Sequence, residues 1–336
     1  MNPLRATLEA DARALGFGRV RVARAGRPPT FDRYDAFLAA GWHAEMRWLA
    51  ETRDTRSDVR GLLPEARSVV VLAMDYARPA PPDPGGLTGR VASYAWGRDY
   101  HALIGLRVRH LRRGLMAKFP GLQTWGGVDA APSWERGWAE AAGLGFSGKN
   151  GMAIVPAEGS WFFLATILLS EELEPDLPLG DFCGRCRRCL DACPTDAFIP
   201  GGGMDAARCI SYLTIEHDGA VPEALRPRLG RWIFGCDDCQ SVCPHQRLPT
   251  DVPADFAPRH AWLPLPAILL ASDRALLDTF EGTPLRRAAP RRLRRNACIA
   301  LGNIGDPSAR PALEAMLDQD PLVAEHAAWA LDRLRP

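Results

Sequence analysis

The segment CGRCRRCLDACP, residues 183–194, constrains this chain more than any other. Its spacing, C-x₂-C-x₂-C-x₃-C-P, is that of a bacterial [4Fe–4S] ferredoxin run. Three closely spaced thiolates converge on one cube, and the fourth cysteine then points to a second. That rule demands a second set of ligands. Residues 236–244, CDDCQSVCP, supply Cys236, Cys239 and Cys243, and Cys209 in ARCISYL is the missing member. Exchange of the fourth ligands places Cys183, Cys186, Cys189 and Cys243 on one cluster, and Cys193, Cys209, Cys236 and Cys239 on the other. CxxC pairs also bind zinc, so two zinc sites are the alternative; the run closed by Cys-Pro, twice, favours iron and sulfide. Eight of nine cysteines fall in this block of a 336-residue chain, which points to metal rather than to a disulfide scaffold. The ninth, Cys298, reads as a core residue, and His217 and His245 as polar loop residues.

Two clusters side by side form an electron wire, but a ferredoxin is far smaller than this chain. The remainder must hold what the electrons reach. Before the cysteines, SVVVLAMDY (68–76) is a continuous β-branched and apolar run, expected as a buried strand. YDAFLAAGWHAEMRWLAE has apolar residues at helical spacing, a helix is expected from about Asp99 to Lys118, and another over SWERGWAEAAG. GMAIVP and SWFFLATILLS read as strands. This alternation predicts an α/β domain over 1–172. The acidic, Pro-containing EELEPDLPLGD precedes a ferredoxin-type domain over 173–248. A second Pro-rich stretch precedes a helical domain over 249–336, in which RNACIALGNIG and EHAAWALDRL align with Ala297 on Ala327 and Leu301 on Leu331, as in HEAT-like repeats.

GLGFSGKN (143–150) is one residue short of a phosphate-binding loop, with Asn150 where Ser or Thr would hold Mg²⁺. A phosphate loop follows a strand and opens a helix. Here a helix precedes the glycines and a strand follows, so Gly143 and Gly145 read as helix-end and turn glycines. No GxGxxG follows a strand, so a Rossmann nucleotide site is not indicated. The formal net charge is +1, which predicts no polyanion partner by bulk charge; nucleic-acid binding would need a local patch. One exists: LRRAAPRRLRRN (285–296) holds Arg286, Arg287, Arg291, Arg292, Arg294 and Arg295, a candidate phosphate-docking surface against the plainer reading of a solvated helix face. RVRHLRR (107–113) is a weaker candidate. No apolar run is long enough to span a bilayer, and the N-terminus has neither a signal-like apolar stretch nor a twin-Arg pair, so a cytoplasmic protein is expected.

YAWGRDYH, VDAAPSWERGWAEAAGLGFSGKN, the double ferredoxin run, RCISYLTIEHDG and the terminal repeat occur in this order, and together they resemble the epoxyqueuosine reductases. The resemblance covers nearly the whole chain. It implies a cobalamin-dependent oxidoreductase, with a catalytic domain related to reductive dehalogenases, that reduces the epoxide of epoxyqueuosine at the wobble position of tRNA to queuosine. It implies Asp129 as the proton donor. It also implies Arg56, Arg98, Tyr100, Asp129, Lys149, Asn150 and Thr214 as cobalamin neighbours, tRNA and an external flavodoxin- or ferredoxin-type electron donor as partners, and a monomer. Ser133, Trp134 and Ser147 depart from the family's pattern. In DYHALIG, position 104 is Ile and the glycine comes one later than a cobalt-ligating histidine motif requires, so His101 is expected as a first-turn helix residue and not a cobalt ligand. An exposed aspartate is ionised at neutral pH, at a pKa of about 3.9; burial beside an apolar corrin is expected to raise Asp129 into the range of a working acid. Competing readings are a reductive dehalogenase, which would usually carry a twin-Arg signal, a non-catalytic two-cluster electron carrier, and an RNA-binding scaffold, which leaves the clusters unexplained.

Overall fold

A computed structural model describes residues 2–199 and 203–334. A four-stranded sheet lies at the centre of the first half, in the order β1 (Arg19–Arg24), β2 (Ser68–Asp75), β7 (Phe162–Leu169), β4 (Thr124–Gly127). All its ladders are antiparallel, with Val70 opposite Ile167 and Leu72 opposite Ala165. The strands do alternate with helices along the chain, but the pairing makes this an antiparallel sheet layered between helices, which element order alone does not reveal.

The unbroken apolar run of β2 follows from burial on both faces. Val70, Leu72 and Met74 meet the helices Pro3–Ala14 and Tyr100–Lys118 through Leu4, Leu8, Ile104, Val108 and Leu111. Val69, Val71 and Ala73 point the other way, onto Trp138 and Ala139 of the helix Glu135–Ala141. A period of two with both sides covered leaves no place for a polar residue. The helix Glu135–Ala141 ends at Gly143, whose φ of 65° is left-handed. Gly143 N–H returns to Glu140 O, and a Cβ at Gly143 would lie 2.0 Å from Leu177 O. The glycine therefore closes a helix, as its sequence position implied. Strands β5 (Phe146–Ser147) and β6 (Ala153–Ile154) form a small hairpin around the GKN turn.

A second core gathers segments from distant parts of the chain. Strand β3 (Thr88–Val91) leaves the first half to pair in parallel with β8 (Trp232–Phe234) and antiparallel with β9 (Trp262–Pro264). Val91, Ala95 and Trp96 thus pack with Ile233, Leu263, Leu293, Ala297, Cys298 and Leu301. The helices Ala289–Ile304 and Pro321–Arg333 form the terminal pair, where Ala297 and Ala327, thirty positions apart, are both fully buried and Cys298 is a core residue. Gly302 lets them close: a Cβ there would come within 2.9 Å of Ala330 Cα. Between the two cores, the cysteine block is tied to the segment before β7 through Gln240, which donates to Ser160 O at 3.2 Å, and to the turn after β3 through Asp237, which accepts Ser93 N–H at 2.7 Å. Among the described residues no helix is long and apolar enough to cross a membrane.

Candidate active site

The helix Tyr100–Lys118 starts the site. Asp99 is its N-cap, and its Oδ1 accepts His101 N–H at 2.9 Å. The same oxygen lies 2.8 Å from His101 Nδ1. The cap thereby orients the imidazole as well as the helix. Tyr100 stacks flat on Phe163 of β7, with ring centroids 4.1 Å apart at 9°, and His101 stacks on the other side of Tyr100 at 4.1 Å. Both side chains then converge on one carboxylate: Tyr100 Oη donates to Asp129 Oδ2, and His101 Nε2 lies 2.9 Å from the same oxygen.

Asp129 sits in the loop after β4 with a φ of 46°, a left-handed conformation that aspartate tolerates better than most residues. Its backbone N–H donates to Glu135 Oε1 at 2.8 Å. Arg56, buried behind the loop, donates to Ser133 O at 2.8 Å and to Thr52 Oγ1 at 2.8 Å. The loop is held by these two bonds, one at each end, and Asp129 does not cap the following helix.

Electrostatics separate the groups. Burial opposes charge on His101, but the hydrogen bonds and charges of Asp129 and Asp99 outweigh it and raise its pKa to about 9. Burial likewise opposes charge on Asp129, yet His101 and Tyr100 hold its pKa below the usual carboxylate value. Burial and the nearby Asp129 charge push Glu135 up to about 8. Burial raises Tyr100 well above an ordinary phenol, so it remains a neutral donor. Two donors stabilise the charged form of Asp129, while His101 and Glu135 are the groups pushed toward their protonated forms. Asp129 keeps 54% of its side chain exposed and Arg136 is also reached by solvent, although burial lowers the Arg136 pKa.

The other expected cofactor neighbours divide. Arg98 is exposed and pairs with Asp255 at 3.0 Å. Lys149 and Asn150, which the resemblance implies as cobalamin neighbours, send their polar ends to the cysteine loops. Lys149 Nζ donates to Gly184 O at 2.7 Å and Cys186 O at 2.9 Å, while Asn150 Nδ2 donates to Cys239 O at 3.2 Å. The GKN turn therefore clasps a loop from each cysteine run. Thr214 is fully buried; its hydroxyl donates to Ile210 O and accepts Gly235 N–H.

Cys183, Cys186, Cys189 and Cys243 line one cavity with Lys149, Phe182 and His245. The chain reaches this arrangement through two similar turns, since the short helices Arg188–Asp191 and Asp238–Ser241 are each followed by Cys-Pro. Burial and neighbouring thiols raise Cys239, with Cys209, Cys189 and Cys193 all close enough to act on it. Among the described residues no three His, Cys, Asp or Glu side chains converge tightly enough for a single ion. The thiols instead stand around a wider space, which suits a polynuclear cluster as their number and softness do.

The arginine run spans two elements. Arg286 and Arg287 lie in the short 3-10 turn Pro284–Ala288, where Arg286 is exposed and Arg287 pairs with Glu216 and stacks over Trp48. The other four lie on the helix Ala289–Ile304, where Arg291 meets Asp320 at 3.0 Å. Arg292 and Arg294 are half-buried, bonded to Glu216 O and Ala271 O. Arg295 is fully buried: it donates to His217 O and Gly219 O at 2.7 Å each, to Leu213 O and to Asn296 Oδ1. It is withdrawn from any phosphate, a correction that follows from helical geometry, because five successive helix positions, 291–295, turn through more than a full circle and one must face the core. Arg287 lies close enough to Asp129 to favour that residue's negative charge. Sequence reading missed Glu135, whose spacing of six from Asp129 carries no motif, and gave His101 no role, although Asp99-x-His101 at a helix start was a usable signal.

Comparisons with known proteins agree with this geometry. Residues 56–130 match the family described as epoxyqueuosine reductase QueG, DUF1730; residues 182–246 match a 4Fe-4S double cluster binding domain; residues 284–336 match HEAT repeats. The chain is 40% identical over 321 residues to an epoxyqueuosine reductase of Gloeobacter violaceus, covering 92% of this chain and 99% of that one. It is 41% identical over 334 residues to that of Pseudomonas aeruginosa, covering 96% and 92%. A crystal structure of epoxyqueuosine reductase with an epoxyqueuosine-modified tRNA-Tyr stem loop superposes with a TM-score of 0.90 at 30% identity, over 98% of this chain and 90% of that one. The Bacillus subtilis enzyme, with its catalytic aspartate loop swung out of the active site, superposes at 0.89 with 30% identity, over 99% and 91%. The chain belongs to the epoxyqueuosine reductase family.

Proposed function

We propose that the chain reduces the epoxide of epoxyqueuosine to queuosine at the wobble position of tRNA, in the cytoplasm, and that Asp129 delivers the proton to the leaving oxygen. The observation that carries the reading is the convergence of Tyr100 and His101 on the solvent-reached carboxylate of Asp129, in a chain that also holds eight clustered cysteines. Opening the epoxide to an alkene consumes two electrons and two protons and releases water. Cobalamin, when bound, supplies low-valent cobalt to break the carbon–oxygen bond, with two [4Fe–4S] clusters as the source of its electrons.

The residues fit both groups. Cys183, Cys186, Cys189 and Cys243 line one cavity, which supports the first of the two expected ligand sets, and Cys209 and Cys193 of the second lie close enough to Cys239 to act on it. Asp129 and Arg136 are open to solvent, so a large ligand can reach the carboxylate. What the protein itself does is hold and move protons. Asp129 rests as the carboxylate, so the proton it passes to the leaving oxygen comes first from His101, which is protonated at neutral pH and hydrogen-bonded to the same carboxylate oxygen; the developing alkoxide, a stronger base, draws that proton from the imidazolium through Asp129. Asp99 stabilises the imidazolium until the transfer. Tyr100 and the stacked Phe163 fix the direction of the carboxylate. Glu135 holds the backbone of Asp129 and so fixes where the carboxylate sits. The test is anaerobic reconstitution with iron, sulfide and cobalamin, followed by incubation with dithionite and a stem loop bearing epoxyqueuosine. Loss of one oxygen atom from the modified base is expected, with a halogenated phenol untouched. Enzyme holding eight irons and a reducible corrin that leaves the stem loop unchanged overturns the reading.

A further inference from the structure

The two cysteine sets stand in opposite surroundings. Residues between the first set's thiols are exposed, among them Gly184, Arg185, Arg187 and Arg188. Those around the second set are withdrawn: Ala206, Ile210, Gly235, Asp237 and Gln240 are buried. The cysteine runs differ in charge as well. The interval 183–193 holds Arg185, Arg187 and Arg188 against Asp191, which pairs with Arg187; the interval 236–243 holds Asp237 and Asp238, and the second set has a basic neighbour in Arg208 beside Cys209. Arg247 and Arg188 border one open groove next to Cys243, together with Val242. Phe182, 49% exposed, and Val242, 36% exposed, add apolar area to the same face.

We propose that this face, formed by Arg185, Arg187, Arg188 and Arg247 with Phe182 and Val242, docks a negatively charged one-electron carrier protein of the flavodoxin class. The inference rests on the reading that electrons for epoxide reduction pass through the clusters. A cluster lined by exposed loops is where a carrier's redox group comes close, and electron transfer falls off steeply with distance. Basic residues around it attract an acidic partner and orient it during encounter. Two exposed apolar side chains among the arginines suit a small, short-lived protein contact, the size class of electron-transfer complexes; a nucleic-acid backbone has no use for them. Each reduced carrier is oxidised by one electron at the cluster behind this face. Two such deliveries, with two protons, convert one epoxide to alkene and water.

The test uses the reconstituted full-length enzyme, a purified acidic flavodoxin and the Arg187→Glu/Arg188→Glu variant, with Arg185→Glu as a second variant should the first lose iron. Flavodoxin dissociation constants are measured over a salt series. Oxidation of reduced flavodoxin by the enzyme is followed by stopped flow. Affinity and rate are expected to fall about tenfold or more at low salt, while dithionite-driven turnover and stem-loop affinity stay unchanged. Unchanged flavodoxin affinity in an iron-replete variant overturns the proposal. So does loss of stem-loop affinity instead, which assigns the arginines to RNA. Wild-type enzyme that binds flavodoxin but never deoxygenates the stem loop with dithionite overturns the functional reading and not the surface.

Discussion

Arg295 and Asp129 each hold a charge among several hydrogen-bond partners, and they do it differently. At Arg295 a guanidinium is fully buried and bonded to the carbonyls of Leu213, His217 and Gly219, with Asn296 beside it donating to Thr214 O and Ile233 O. Burial lowers the Arg295 pKa to about 10, which still leaves it charged at neutral pH. At Asp129 the partners are themselves titratable: His101, Tyr100 and, through the backbone, Glu135. A charge enclosed by carbonyls has one stable state and serves as a bolt between elements. A charge enclosed by acids and bases has several states close in energy and can pass a proton. The difference separates structure from chemistry more reliably than burial does.

The comparison breaks most visibly at Asp129. Asp129→Asn should lower kcat by about 10²–10⁴-fold, with iron content and corrin uptake unchanged and only the small loss of stability that the missing His101 pair implies; retained turnover would remove the residue from proton delivery. Arg295→Met should do the converse. Leaving three carbonyls and Asn296 without their donor is expected to cost about 3–5 kcal/mol of stability, read by denaturant unfolding, with no change in the pH dependence of whatever activity survives.

His101 sharpens the contrast through pH. Its pKa is raised to about 9 in the folded protein, against about 6.5 unfolded. The stability contributed by its ion pairs is therefore complete below about pH 6.5 and is lost as pH rises through about 9. His101→Gln should flatten the fall in melting temperature over that interval, remove the alkaline limb of kcat, and lower kcat itself by about 10²-fold. At Glu135 the Ala variant should loosen the Asp129 loop and reduce kcat about tenfold, equivalent to one hydrogen bond of about 1.4 kcal/mol. Glu135→Gln, which keeps the accepting oxygen, should restore most of it; equal loss in both variants would mean that the acid and not the bond matters. The smallest effect belongs to Arg291, in a surface pair with Asp320. Arg291→Ala should change stability by less than about 1 kcal/mol. If Arg291 contacts a phosphate, the same change lowers the salt slope of stem-loop binding by about one.

Legibility in the sequence followed the range of the interaction. Cysteine spacing is local covalent geometry, so both ligand sets could be read before any fold, and one of them lines a single cavity. Gly143 closes a helix and Cys298 lies in the core, as helical periodicity required. Arg295 was misplaced because a basic run states how much charge there is, not where each side chain points. That Lys149 and Asn150 bond main-chain carbonyls of the cysteine loops, and that Thr214 accepts Gly235 N–H, was not legible, because each of these contacts spans 20 or more positions in sequence. The parallel pairing of β3 with β8 joins residues more than 140 apart, and no composition shift announces it.

By itself the amino-acid order determined the metal chemistry, the buried strands, the helix ends and the terminal helical repeat, because each depends on neighbours within a turn or a strand. Only the tertiary structure decided that Tyr100 and His101 meet on the Asp129 carboxylate and Glu135 on its backbone, which favours the charged form of Asp129 and the protonated forms of His101 and Glu135, and that one cysteine run faces outward among arginines. Those properties arise from field and solvation, which sum over groups brought together from distant parts of the chain.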